Sequence, residues 1–381
     1  MDFALTDEQE LMMDSVRELL RKELPPERIS ALDEAHEFPM DTWKKLGDLG
    51  FLGLPVPAEY GGAGASILDI VLFSEVLSYG MSGLSAAFQR SACYGGVVIG
   101  QYGTEEQKKR ILPPLVSGDQ MVAIALTEPD SGSDAASLST RAESRDGGFV
   151  INGQKVYTSG ATQADWLIVA VRTDPDAPAR EGLSTLIVPV DAPGITIRPM
   201  SKLGNWTIPT CEVFFDDVEV GPEALLGGLN EAWTTTLTHG LDAERLVIGA
   251  HCTGSAQRCV DIAVEYAGQR EQFGRKIGKF QMIRQKLADM DVQVQAGRLI
   301  TYHAAWKLDA GLNARKEASS AKLLTSETWN KVAYDSMQVL GGIGYMMESE
   351  LQRQYRDARL YTIGGGTSEI QRLIISHELV G

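Results

Sequence analysis

The sequence predicts an α+β protein built from a helical domain, a β-rich domain and a helical bundle, in that order. Two changes in the spacing of apolar residues predict this division. At Met121 helical spacing is replaced by short runs of β type, and from Ala232 helical spacing returns and continues to the end. We therefore expect an all-helical domain at 1–120, a β domain at 121–230 and a four-helix bundle at 231–381. A chain of 381 residues can bury two or three such cores.

The first domain is predicted from its helix signals. Thr6-Asp7-Glu8-Gln9 matches a capping box before an apolar-periodic run. Residues 67–79 and 85–102 have helical spacing, and Thr104 is the expected cap of a further helix. No residue pattern in this domain indicates chemistry.

The middle domain is predicted from short apolar runs separated by turns. Runs begin at Met121 and recur at 149–151, 166–171, 183–190 and 211–215, with turn signals such as Asp146-Gly147 between them. Short strands without interleaved helices are typical of an antiparallel barrel or sandwich. Two loops, 127–134 and 156–160, combine hydroxyls with an aromatic side chain and could hold a polar planar ring. They could equally be ordinary loops, which are rich in Ser, Gly and Asp.

The last domain is predicted from long helical runs at 232–269, 279–310, 314–340, 348–362 and 367–379. A basic connector, 270–277, could bind phosphates or be a solvated turn. Three glycines precede a Thr-Ser cap at Thr367, and such a helix N-terminus favours an anion or dipole.

Composition excludes several classes of function. The net charge of −16 argues against nucleic-acid binding. The four cysteines lack zinc-like spacing, so we expect no metal site and a reducing compartment. Neither a Rossmann fingerprint nor a P-loop is present, and no apolar run approaches the ~18 residues of a membrane span. Met1 leads directly into polar sequence, which predicts no targeting signal and a cytoplasmic protein.

Glu244 is the candidate proton acceptor. It lies in Gly240-Leu241-Asp242-Ala243-Glu244-Arg245-Leu246, at the start of an apolar-periodic helix, with a cation one residue away. Burial raises and Arg245 lowers the pKa of such a carboxyl group, which could poise it as a base. An ordinary ion pair at a helix start is the alternative interpretation.

The loops and glycine-rich breaks, taken together with the three-part organisation, resemble the acyl-CoA dehydrogenase family over essentially the full chain. The resemblance implies the acyl-CoA dehydrogenase fold, FAD as cofactor and oxidation of an acyl-CoA to its trans-2-enoyl-CoA in fatty acid or branched-chain amino acid catabolism. It also implies an electron-transfer flavoprotein as acceptor and a homotetramer built as a dimer of dimers. The motifs that carry it are 126–134, 157–160, 211–216, 270–273 with Gln281, 338–342 and 366–371.

The resemblance assigns residues to the cofactor by position. Leu126 and Thr127 should meet the pyrimidine edge of the flavin, and Ser159 stands where the family usually has Thr, near flavin N5. Tyr157 stands where the family often has Trp. Ser133 matches a contact of the pyrophosphate or of the CoA arm. The ADP part should be held across a subunit interface by Arg270, Gln272, Phe273, Gln281, Gln338 and Gly342, and on its other side by Thr367 and Glu369.

The resemblance also indicates where the base lies. Most straight-chain members carry Glu at the position of Gly365, which cannot accept a proton. A branch similar to isovaleryl-CoA dehydrogenase keeps its base before an Arg on the first helix of the last domain, where Glu244 stands. The N–H of Gly365 would still bind the thioester oxygen together with a flavin ribitol hydroxyl. Asp242 and Arg245 would bind or frame the CoA portion, although a helix-start ion pair is an open alternative for Asp242.

Two glycines near the acyl α and β carbons, Gly364 and Gly365, favour a branched substrate such as a 3-methyl acyl-CoA. Other functions stay open at this point: a flavin oxidase or monooxygenase on the same fold, a non-catalytic acyl-CoA-binding protein that lost its base, or a purely structural Glu244.

Overall fold

The computed structural model describes residues 4–381, so Met1, where the sequence predicts no targeting signal, lies outside the described part. The twelve α-helices within that range are α1 Asp7–Glu23, α2 Pro26–Ala35, α3 Met40–Asp48, α4 Ile67–Gly80, α5 Ser82–Arg90, α6 Gly100–Tyr102, α7 Glu105–Val116, α8 Thr236–Gln269, α9 Gln281–Asp309, α10 Arg315–Leu340, α11 Glu350–Tyr361 and α12 Ser368–Val380. The strands are β1 Val122–Ala125, β2 Arg141–Arg145, β3 Gly148–Ser159, β4 Trp166–Arg172, β5 Leu183–Pro189, β6 Ile195–Met200, β7 Thr210–Val220, β8 Leu225–Leu226, β9 Glu271–Gln272 and β10 Arg275–Lys276.

Side-chain caps set the starts of the N-terminal helices. Thr6 forms the predicted capping box with Gln9, and Thr104 forms another with Gln107. Ser66 caps α4 in the same way. The run 85–102 differs from its prediction, because a π-helical segment, Ser91–Ile99, separates α5 from α6. A π turn contains an extra residue and redirects the side chains that follow it, and such turns are common at functional sites.

The middle of the chain forms one eight-stranded sheet in the order β6-β7-β3-β2-β4-β5-β8, with β1 beside β4. Most neighbours pair antiparallel, as predicted, but β1 runs parallel to β4 and β2 meets β4 in a single parallel pair. The strands β2 and β6 were not predicted from the sequence, because exposed polar residues interrupt their apolar pattern. The β3–β7 ladder has a register shift between Lys155 and Thr158, where β3 leads into the candidate flavin loop.

The long helix α8 connects the helical parts of the molecule. It packs against α10 and α9 in the C-terminal bundle and against α4 in the N-terminal domain. Gly254 allows this close approach, because a Cβ there would lie 2.0 Å from the Glu75 carbonyl oxygen of α4. Residues of α8 therefore lie beside α5 and the π-helical segment.

All four cysteines are buried free thiols, and no cluster of metal-ligating side chains occurs among residues 4–381. Within the same range no helix combines the length and the apolar character that crossing a membrane requires.

Replacing Gly254 by Ala should lower the free energy of unfolding by about 1–3 kcal/mol, since the added methyl group forces α8 away from α4. Chemical denaturation of the purified variant measures this change. Gly268→Ala is the matched control on the same helix, because nothing lies within 4 Å of a Cβ there, and it should stabilise by up to ~1 kcal/mol. Equal effects of the two substitutions would contradict the close-packing argument.

Candidate active site

Glu244 lies in the first half of α8 with both carboxylate oxygens engaged from the N-terminal domain. Gln89 donates its amide N–H to Oε1 at 2.9 Å, and Tyr94 donates its hydroxyl to Oε2 at 2.8 Å. Gln89 precedes the π-helical segment and Tyr94 lies within it. The extra residue of the π turn is what allows two side chains five positions apart to converge on one carboxylate.

The groups around Glu244 have opposing effects on the pKa of its carboxyl group. Burial raises the pKa of its carboxyl group, whereas the hydrogen bond from Tyr94, the charge of Arg245, the hydrogen bond from Gln89 and the charge of Lys322 lower it, and the balance is a raised pKa. A carboxylate with a raised pKa is a stronger base than one in water, while its two donors keep it in a fixed orientation.

The loop before α12 approaches Glu244 from the other side. An ideal Cβ on Gly365 would lie 4.0 Å from the Glu244 carboxyl carbon and 3.9 Å from Cε of Lys322. Gly365 has φ +65°, which favours glycine, and among residues 4–381 the N–H groups of Gly365, Gly366 and Thr367 have no hydrogen-bond acceptor. Three free amide donors beside a basic carboxylate can bind an oxygen on which negative charge develops.

Asp242 and Arg245 form an ion pair with each other on α8. Arg245 is buried, and its Nε lacks any partner within the described residues. The pair therefore leaves donor capacity for a ligand, while the alternative, a helix-start ion pair, accounts for Asp242 equally well.

The loop after β1 is fixed by a buried ion pair that the sequence interpretation missed. Lys155 donates to the Leu126 carbonyl at 3.0 Å and to Glu128 Oε1 at 2.7 Å, and both charged side chains are almost fully buried. Burial alone would raise the pKa of Glu128, but Lys155 and nearby donors lower it to about 2. The Thr127 carbonyl accepts the Val156 N–H at 2.8 Å, which joins the two candidate flavin loops.

The end of β3 presents the other predicted flavin residues. Tyr157 has φ +58° and its side chain is 63% exposed, while Ser159 is half-buried and pairs with β7. Between them the Thr158 hydroxyl is buried and has no partner in the described chain. Ser133 is exposed in its loop. An orphaned hydroxyl between an open aromatic and a half-buried serine fits a planar ring with polar edges.

The residues predicted to hold the ADP part divide into two sets. Thr367 and Glu369 line a cleft of about 560 Å³ between α10, α11 and the start of α12. Phe273, with 93% of its surface exposed, lies with Arg270 and Gln272 on the β9–β10 connector. No hydrogen bond, ion pair or ring contact within 4–381 joins the two sets. The second set consists of exposed residues: Arg270, Gln272, Phe273, Gln281, Gln338 and Gly342.

Two buried cations near Glu244 were also missed. Arg90 is 5% exposed, packs its guanidinium against Gly160 next to Ser159, and has no carboxylate within 4.0 Å among residues 4–381. Lys322 is fully buried on α10 and donates to the Gly366 carbonyl at 2.6 Å. Both lie in apolar-periodic helices, where a single charged residue ordinarily indicates the solvated face, so the sequence carries no signal for them.

Lys155→Met should lower the free energy of unfolding by about 3–5 kcal/mol, because Glu128 loses its buried counter-charge. The loop around Leu126 should also loosen, so that less flavin co-purifies per chain. Thermal unfolding and flavin absorbance after gel filtration measure the two effects. The double variant Lys155→Met/Glu128→Gln should recover part of the stability, and Lys109→Met on an exposed helix face should change neither. A stable, fully flavin-loaded Lys155→Met protein would refute the assigned role.

Comparisons with known proteins agree with this geometry. Three family models match consecutive parts of the chain: the acyl-CoA dehydrogenase N-terminal domain at 6–119, the middle domain at 123–218 and the C-terminal domain at 232–380.

Individual relatives cover the chain almost completely. The mitochondrial isovaleryl-CoA dehydrogenase of Oryza sativa subsp. japonica is 39% identical, over 98% of this chain and 91% of its own. The structure of butyryl-CoA dehydrogenase from Megasphaera elsdenii covers 100% of both chains with a TM-score of 0.96 and 33% identity. The structure of PigA with FAD and proline covers 100% of this chain and 99% of its own, with a TM-score of 0.95 and 29% identity.

Proposed function

Because the chain belongs to the acyl-CoA dehydrogenase family, and is thus an FAD-dependent enzyme acting on acyl-CoA CH–CH bonds, we propose that Glu244 is its catalytic base and that its substrate is a 3-methyl-branched acyl-CoA. The observation that carries the first part is the position of Glu244: a half-buried carboxylate, hydrogen-bonded on both oxygens, within 4.0 Å of the Cβ position of Gly365.

Glu244 takes the proton from the α carbon of the thioester. An α-proton is weakly acidic, so its removal needs a base of raised pKa close to it and donors for the oxygen that becomes negative. Glu244 supplies the base, and the free N–H of Gly365 supplies one of the donors to the oxygen. When bound, FAD supplies the acceptor for the β-hydrogen, which leaves as hydride. Leu126, Thr127, Tyr157 and Ser159 would hold its ring.

The role of Glu244 is testable by a substitution that keeps its shape. Glu244→Gln should slow anaerobic bleaching of the flavin by acyl-CoA at least ~10³-fold, because an amide cannot accept the proton, while FAD stays bound. Stopped-flow absorbance measures the rate. Glu265→Gln, on an exposed turn of the same helix, is the control and should behave as wild type. Bleaching at the normal rate in Glu244→Gln would mean that another group is the base. Glu369 would then be the next residue to substitute.

The branched substrate is supported by the glycines, but unequally. A Cβ on Gly364 would meet only Leu360, at 3.7 Å or more, so space is open there. A Cβ on Gly365 would lie 2.5 Å from Cδ1 of Ile248, so this side chain already fills the space beside Gly365. The room for a branch is therefore on the Gly364 side.

Isovaleryl-CoA should reduce the flavin at least ~10-fold faster than butyryl-CoA, which corresponds to about 1.4 kcal/mol of transition-state discrimination. Gly364→Ala should abolish this preference by filling the open side, whereas Gly268→Ala, also in open space and outside the candidate site, should leave the ratio unchanged. Faster reduction by straight chains would contradict a branched substrate.

Arg90 favours a second candidate for the acyl chain, one that ends in a carboxylate. A buried guanidinium without a carboxylate in direct contact costs several kcal/mol, and a substrate anion would reduce that cost. Burial lowers the pKa of Arg90 only to about 10, so it is cationic at neutral pH. If the substrate is of this kind, 3-methylglutaryl-CoA will outperform isovaleryl-CoA, and Arg90→Met will reverse the order.

The exposed residues also support a proposal for the assembly and for the acceptor. Within residues 4–381 no contact joins the β9–β10 connector or Gln338 to the cleft at Thr367, which supports a cofactor shared between subunits and a homotetramer. The exposed Tyr157 leaves the predicted flavin edge open to the surface, which supports electron transfer to a separate electron-transfer flavoprotein. Oxygen consumption during turnover without that acceptor would favour an oxidase instead. A cytoplasmic location stays a prediction.

A further inference from the structure

Lys322 is a buried cation that the proposed reaction does not use. It comes from the middle of α10, its side chain is fully buried, and no carboxylate lies within 4.0 Å of it among the described residues. Among the described residues its ammonium group donates a single hydrogen bond, to the Gly366 carbonyl at 2.6 Å. A buried ammonium group without a counter-ion is costly, so a role beyond packing is expected of it.

The position of Lys322 relates it to Glu244. Cε of Lys322 and the carboxyl carbon of Glu244 both lie within 4.0 Å of the Cβ position of Gly365, which places the two groups within about 8 Å of each other across the glycine loop. Neither group pairs directly with the other. Lys322 therefore acts on Glu244 through space, whereas Gln89 and Tyr94 act through hydrogen bonds.

Lys322 also fixes the loop itself. The C=O and N–H of one peptide unit point in opposite directions, so a donor on the Gly366 carbonyl directs the Thr367 N–H away from Lys322. Gln371 adds bonds to the carbonyls of Gly365 and Gly366 at 3.1 and 2.9 Å. The N–H groups of Gly366 and Thr367 are thus oriented by two buried side chains, and the loop that also carries the Gly365 N–H is held in place.

We propose that Lys322 is a positioning residue for α-proton removal: its charge holds Glu244 in the ionised, proton-accepting form, and its hydrogen bond fixes the glycine loop that faces the thioester. The inference rests on the proposed role of Glu244 as base.

Several other groups act on the same pair. The titratable and charged groups facing Glu244 are Arg90 from α5, Cys93 and Tyr94 from the π-helical segment, Arg245 on its own helix and Lys322 from α10, and those facing Lys322 include Cys252, Arg245 and Glu327. Burial lowers the pKa of Lys322 to about 8, so it is largely protonated at neutral pH. A cation favours the ionised form of a carboxyl group, so removing Lys322 raises the pKa of Glu244 further.

Two substitutions separate the charge from the hydrogen bond. Lys322→Gln removes the charge but keeps a donor for the Gly366 carbonyl, and Lys322→Met removes both. In the holoenzyme, the acid limb of the rate of flavin reduction should move to higher pH by about one unit in both variants, since Glu244 then needs a higher pH to ionise. The plateau rate should stay within a few-fold of wild type in Lys322→Gln and fall at least ~10-fold in Lys322→Met. Lys316→Met, on the solvent side of α10, is the control and should match wild type.

A second readout does not depend on turnover. Infrared difference spectra of the protein across pH contain the protonated-carboxyl band of Glu244, identified by its loss in Glu244→Gln. The midpoint of this band should rise in Lys322→Gln by the same amount as the acid limb. An unmoved band and an unmoved limb would overturn the proposal, even if Lys322→Met unfolds. Normal bleaching in Glu244→Gln would instead refute the base assignment, and the infrared titration would still decide whether Lys322 sets the ionisation of Glu244.

Discussion

The candidate site depends on keeping one carboxylate, Glu244, largely out of water. Desolvation of an ion costs several kcal/mol, and each hydrogen bond to a charged group returns about 1.5–3 kcal/mol. Gln89 and Tyr94 satisfy both oxygens, so the carboxylate is retained without a direct ion pair. A direct salt bridge would have lowered its pKa and weakened it as a base. The distant Lys322 and adjacent Arg245 moderate the cost without neutralising the group.

This arrangement depends on the close packing of the two helical domains. Glu244 belongs to α8, its donors belong to α5 and the π-helical segment, and the loop facing it precedes α12. Small residues bring these elements together: Gly240 lies so near Tyr94 that a Cβ would approach its ring to 2.6 Å, and Gly254 admits the backbone of α4. A rigid interior of this kind fixes the base relative to the loop without contributions from mobile side chains.

The three-part fold could be predicted because changes in apolar period are local properties of the sequence. Capping at Thr6 and Thr104, and the long helices α8 to α12, follow from short-range signals and agree with the structure. The donors to Glu244 could not be predicted, because Gln89 and Tyr94 lie 155 and 150 residues away in the chain. The π turn that aligns them also could not be predicted, since the run Ser91–Ile99 has no residue pattern that distinguishes a π-helix from an α-helix. Resemblance supplied Glu244 and Gly365 as a pair, but not Arg90, Lys155 or Lys322.

The two buried lysines act on their carboxylates in two different ways. Lys155 contacts Glu128 directly, and the close pair locks the Leu126 carbonyl in the loop predicted to hold the flavin. Lys322 instead stays apart from Glu244 and, within the described part of the chain, donates only to a carbonyl. A contact pair suits a structural carboxylate, whose pKa falls to about 2 and which never needs a proton. Separation suits a carboxylate that must accept one, because a cation at a distance lowers its pKa less than a contact pair would.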